Sequence, residues 1–98
     1  MTADELNEIL NAYAQRAITA IEPRPRVRIE VERMEDDGRA WLSGDVDFLH
    51  DGSERGERAA QRALDVLNKI VDADDRMECD ENGFGDDVVG LSVTVEIT

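Results

Sequence analysis

Glu78-Cys79-Asp80-Glu81-Asn82-Gly83 sets oxygen-bearing side chains at alternate positions and ends on glycine. An EF-hand calcium loop opens this way: carboxylate and amide oxygens at alternate positions converge on a hard cation, and a glycine at the sixth makes the sharp turn. The pattern then breaks. Counting from Glu78, position 12 is Val89, where a bidentate glutamate is needed, and a strand pattern follows rather than a helix. Half of the residues from 72 to 87 are acidic. The stretch reads as a solvated turn into the last strand, with divalent-cation binding that is weak and not specific. Asn82-Gly83 and Gly85 are ordinary turn signals.

The other candidates for chemistry are isolated. His50 is the only histidine and Cys79 the only cysteine. A Cys-His pair needs thiol and base within hydrogen-bond reach, and nothing in the spacing brings these two together. Asp45 and Asp47 point to the same side of one strand, roughly 7 Å apart. Two carboxylates at that separation suit work on one substrate, but surface decoration is the simpler reading in a chain this acidic. The sequence holds no P-loop, G-x-G-x-x-G, C-x-x-C or H-E-x-x-H motif. Neither enzymatic activity nor a cofactor is expected.

Charge narrows the partners. The 98 residues carry a formal net charge of −13, and Lys69 is the only lysine among 11 basic residues. Such a charge repels phosphates and anionic headgroups, so neither direct nucleic-acid nor membrane binding is expected. It favours basic partners, divalent cations or a salty medium. At molar salt the Debye length falls to ~3 Å and self-repulsion is quieted. The acid-rich, lysine-poor composition is halophile-like, and Arg without Lys also fits a GC-rich genome. A purely halophilic reading predicts poor folding in dilute buffer and recovery in molar KCl. A lone cysteine excludes an internal disulfide and makes a reducing compartment the default. With no apolar run near the ~20 residues of a membrane span and no signal-peptide core at Met1-Thr2-Ala3-Asp4-Glu5, a cytoplasmic protein is expected, or one inside a particle assembled in the cytoplasm.

The elements that must position these residues read as helix, hairpin, helix, strand in one domain. Leu6, Ile9, Leu10, Tyr13, Ala17, Ile18 and Ile21 fall on one face of a helix over 3–21. Thr2 and Glu5 have capping-box spacing, and Pro23 ends the run. Val27, Ile29 and Val31 alternate with charges as a strand with one buried face. Asp37-Gly38 makes a tight turn into a second strand at about 39–49. Folding there sets Val27 against Phe48, Ile29 against Val46 and Val31 against Gly44. The other face pairs Arg28 with Asp47, Met34 with Trp41, and Glu30 with Asp45, a like-charge contact. Ser53 or Asp51 caps a second helix over 54–72, and the last strand covers about 87–97. The predicted fold is a two-layer α+β sandwich in α-β-β-α-β order. The antiparallel hairpin spans 26–49, both helices pack on one sheet face, and a short extra strand near 76–80 pairs with the last.

"DDGRAWLSGDV" followed by "ERGERAAQRALDV" resembles the turn, strand and second helix of BON domains, over about half the chain. Those domains have α-β-β-α-β order and are often envelope-associated. Their usual Gly-Val before the last strand is replaced here by the acidic stretch. The element order is also similar to the small tail-terminator and tail-completion proteins of tailed phages, which assemble into rings.

Trp41 is the most informative single residue. It falls on the open face beside Met34, with Leu49 farther along, as an anchor for a partner or as an aromatic laid over the sheet edge or covered by the N-terminal segment. The expected function is a non-enzymatic protein-interaction or assembly subunit, self-associating through its sheet face or a free strand edge. Trp41, Met34, Leu49, Arg28, Asp45 and Asp47 form the candidate surface. The alternative is an acidic mimic of nucleic acid that blocks a basic DNA-binding protein, with Glu30, Glu32, Asp45 and Asp47 on the sheet and the acids of residues 72–87 on the loop standing in for phosphates.

Overall fold

The computed structural model describes residues 1–82 and 85–97 and shows an α+β fold. Its elements are α1 (Ala3–Ile18), β1 (Arg26–Asp36), β2 (Arg39–Leu49), α2 (Glu54–Asp72), β3 (Glu78–Asn82) and β4 (Val88–Glu96). The short extra strand exists, two residues later than the sequence suggests. The turn expected at Asn82-Gly83 lies partly outside the described residues.

The capping box at α1 forms in both directions. Thr2 Oγ1 accepts from the Glu5 amide at 3.1 Å, and Glu5 Oε1 accepts from the Thr2 amide at 3.3 Å. The helix ends at Ile18, three residues earlier than the expected 21. Thr19 Oγ1 donates back to the Gln15 carbonyl at 2.7 Å, and the Ile21 amide bonds Ile18 at 3.1 Å in a tighter turn. Pro23 follows, and the residue before a proline disfavours the α region. Leu6, Leu10, Ala14, Ala17 and Ile18 are buried.

The hairpin closes as expected. Asp37 and Gly38 take φ of +53° and +79°, the pair of left-handed residues that a type I′ turn needs. Every predicted pairing is present, from Val27–Phe48 to Met34–Trp41. The sheet is antiparallel throughout, in the order β1-β2-β4-β3. β4 therefore lies against β2, with Val46 opposite Leu91, as well as against β3. Both helices pack on one face, α1 over β1 and β2, and α2 over β4, β3 and β2. Gly44 leaves room for this: a Cβ there would sit 2.7 Å from Leu10 Cδ1.

The start of α2 is more constrained than its sequence implies. Ser53 Oγ accepts from the Gly56 amide at 3.0 Å, while Asp51 Oδ1 accepts from the Ser53 amide at 2.9 Å and from Ser53 Oγ at 2.5 Å. These bonds hold the Asp51 carboxyl below its usual range. Helix propensity alone favours alanine over glycine by up to about 1 kcal/mol. At Gly56, however, an added Cβ would lie 2.5 Å from Asp51 Oδ1. Alanine must displace the carboxylate that orients the cap, and a lost cap costs about 0.5–2 kcal/mol. Gly56→Ala is expected to lower the melting temperature, and a rise of several degrees would show that the cap yields freely.

A polar staple ties α1 to the α2–β3 connection. Tyr13 Oη donates to Asp74 Oδ2 at 2.7 Å; Arg76 donates to both oxygens of the same carboxylate, from Nη2 at 2.7 Å and Nε at 2.9 Å. Arg76 holds the Asp74 carboxyl well below the ordinary range, and the bond to Asp74 raises the Tyr13 phenol above 10.0. For Asp74 the folded pKa is depressed, so its stabilisation is present above about pH 4 and lost as pH falls further. For Tyr13 the folded pKa is raised, so its share is present below about pH 10 and lost as pH rises beyond that. Asp74→Ala is expected to cost about 1–3 kcal/mol at pH 7, since the Asp74 side chain is only 9% exposed and both donors lose their acceptor. Urea titrations at pH 7 and pH 3 check this: the wild type–variant difference must shrink at pH 3.

Candidate interaction surface

Among the described residues, the sheet's second face carries no helix. Along β2 its side chains alternate with buried ones, so Trp41, Ser43, Asp45, Asp47 and Leu49 are all half-buried on the open side. Trp41 sits between Met34 of β1 and Glu96 of β4. Met34 is 37% exposed, one of the two most open large apolar side chains among the described residues. Beside Trp41 is a hollow of about 430 Å³ lined also by Arg39, Arg76, Glu78, Thr94 and Glu96. Arg39 reaches Glu96 at 3.5 Å across it. Its wall thus carries both charge signs around one aromatic ring.

The expected surface residues do not form one patch. Leu49 lies at the far end of β2, eight residues from Trp41, which is roughly 26 Å of strand. It lines a second hollow of about 350 Å³ with Pro23, Arg24 and His50. Arg28 belongs to the middle and donates to Asp47 Oδ2 from Nη2 at 2.9 Å and Nε at 3.2 Å. Asp45 accepts from Ser92 Oγ at 2.6 Å. The two aspartates share a face, as expected, but each is engaged with a different partner. Glu30 does face Asp45, and with Glu32 these carboxylates edge a shallow dip in the sheet. The contributions of Arg76, Glu78, Thr94 and Glu96 to the Trp41 hollow come from residues distant in sequence, brought in by the pairing of β4 with β2 and β3.

The isolated nucleophile and base stay apart. Cys79 pairs with Val93, which lies opposite Gly44; His50 lies six residues beyond Gly44, roughly 20 Å along the strand. Cys79 Sγ bonds Asn68 Oδ1 at 3.2 Å, and burial, then Asp72, Asp80 and Glu81, push the thiol's pKa up. A raised pKa suppresses the reactive thiolate. His50 Nδ1 accepts from the Gly52 amide at 3.1 Å, leaving Nε2 buried without a hydrogen-bond partner among the described residues. Among those residues, no group of three or more His, Cys, Asp or Glu side chains is arranged to hold a metal ion, and no helix is long and apolar enough to cross a membrane.

No family model, curated protein or solved structure matches this chain. The similarity to BON domains and to tail-terminator proteins thus remains one of element order and of the quoted segments.

Proposed function

We propose that the protein is a non-enzymatic assembly subunit that self-associates, with the open sheet face at Trp41 as a contact surface. The observation that carries this reading is the hollow of about 430 Å³ beside Trp41, whose wall mixes arginines with carboxylates. An aromatic anchor beside an exposed methionine, rimmed by both charge signs, has the composition of an interaction hot spot. Mixed charge also makes the surface able to match a second copy of itself. The acidic-mimic reading is less well supported, because Arg28 and Arg39 break the run of carboxylates on this face. A non-enzymatic role accords with the separate engagement of Asp45 and Asp47 and with the suppressed thiol of Cys79.

Trp41 is the chain's one tryptophan, so its emission reports on this surface alone. Raising protein concentration through the association range should shift emission to the blue and reduce quenching by acrylamide. An assembly that forms without changing either signal would remove Trp41 from the contact.

A further inference from the structure

The sheet has two edges, and they differ. β3 is five residues long and bears Glu78, Asp80 and Glu81, a short acidic edge that opposes pairing with its own kind. β1 is eleven residues long and, among the described residues, pairs with β2 alone. Its inward-facing Val27, Ile29 and Val31 are only half-buried, whereas Leu42, Val46 and Phe48 of β2 are at most 1% exposed. The core is thus less completely closed along β1.

The free main-chain groups of this edge are fixed by the hairpin. A two-residue turn makes Asp36 and Arg39 a hydrogen-bonded pair. Counting back, Glu32, Glu30, Arg28 and Arg26 direct their N–H and C=O groups to β2, and Val27, Ile29 and Val31 direct theirs outward. The Ile97 amide agrees with this phase, since it bonds the carbonyl of Ala40 on the opposite side of β2 at 3.0 Å.

The edge reads Arg26-Val27-Arg28-Ile29-Glu30-Val31-Glu32, and this segment is complementary to itself when run antiparallel. With Ile29 opposite Ile29, Val27 meets Val31, Arg28 meets Glu30 and Arg26 meets Glu32. The same register matches outward N–H groups to outward C=O groups at Val27, Ile29 and Val31. A shift of one residue sets apolar side chains against charges. A shift of two sets Arg28 against Arg28 or Glu30 against Glu30. Glu30 and Glu32 form no ion pair within the chain among the described residues, and Glu30 faces Asp45. The second copy would set its Arg28 and Arg26 directly opposite them. Pro25, which lacks an N–H, stops the ladder at one end.

We infer that β1 pairs antiparallel with β1 of a second copy about Ile29, joining two four-stranded sheets across a two-fold axis. This rests on the self-association reading and specifies one of its contacts. Val27, Ile29 and Val31 of both copies meet beneath the two α1 helices, and Arg28 and Glu30 pair across the open face.

The test uses Arg28→Glu and Glu30→Arg, alone and mixed, by sedimentation velocity on the full chain. Each single change sets like charges opposite one another twice by symmetry, so each variant alone should self-associate about tenfold to a hundredfold more weakly than wild type. An equimolar mixture of the two variants restores every opposite-charge pair between the copies, though not the Arg28–Asp47 bridge within the Arg28→Glu chain, and should recover most of the wild-type association. Variants that each self-associate as wild type does would overturn this register while leaving the assembly reading intact. A wild type that stays monomeric throughout would overturn both. Should either variant fold poorly, amide exchange in wild type decides. Val27, Ile29 and Val31 should gain protection as concentration rises through the association range, and rapid exchange there in the assembled protein would exclude the edge.

Discussion

Phe48→Ala is expected to lower the free energy of unfolding by about 3–5 kcal/mol, a large part of the 5–15 kcal/mol that holds a domain together. Phe48 is fully buried and is the largest such side chain among the described residues. It lies on β2, an inner strand, with Val27 on one side and Val89 on the other, and it points at the layer where both helices meet the sheet. Removing the ring forfeits its transfer energy and leaves a cavity between elements that cannot all close on it. Urea unfolding followed by far-UV circular dichroism should show a lower midpoint with a similar slope. Val66→Ala is the control: that side chain is 39% exposed, and the change should cost less than about 0.5 kcal/mol. Equal effects for the two substitutions would contradict the assignment of faces.

Trp41→Ala is expected to weaken self-association by about 2 kcal/mol or more, roughly thirtyfold in the dissociation constant. Trp41 is half-buried in the isolated chain and borders the hollow that Arg39, Arg76, Glu78 and Glu96 also line. A partner covering it completes the burial of a large ring, the kind of contact that dominates interface energetics. Met34→Ala should have a smaller effect of the same sign, because Met34 flanks the hollow without lining it. Residues 26–32 of β1 are untouched by either change, so a residual dimer at high concentration is expected. A dissociation constant within twofold of wild type for Trp41→Ala would take the open face out of the assembly.

What the sequence made legible was local. The Asp37-Gly38 turn and the alternation on either side fixed the hairpin register, because a slip of one residue would have sent Val27, Ile29 and Val31 to the polar face. Thr2 and Glu5 announced the capping box correctly. The end of α1 was less legible, since the back-bond from Thr19 to Gln15 competes with helical continuation in a way that apolar spacing does not record. That both helices cover one sheet face and that the short strand pairs with the last was legible, but the place of β4 beside β2 was not. The insertion of β4 between β2 and β3 decides which residues surround Trp41, and it depends on pairings across about fifty residues of chain. For the same reason Trp41 and Leu49, on one face of one strand, ended in separate hollows. The lack of room for a Cβ at Gly56 likewise depends on Asp51 Oδ1, whose position follows from the cap and not from spacing.

The acidity has a place in this account. A net charge of −13 opposes bringing copies together at low salt, while the Arg28–Glu30 and Arg26–Glu32 contacts act over short distances. The most direct measurement is therefore mass in solution by light scattering across a concentration series, at low and at molar salt. The account predicts a defined species of two copies or more in at least one of these conditions. A folded monomer at every concentration and at both salts would contradict it.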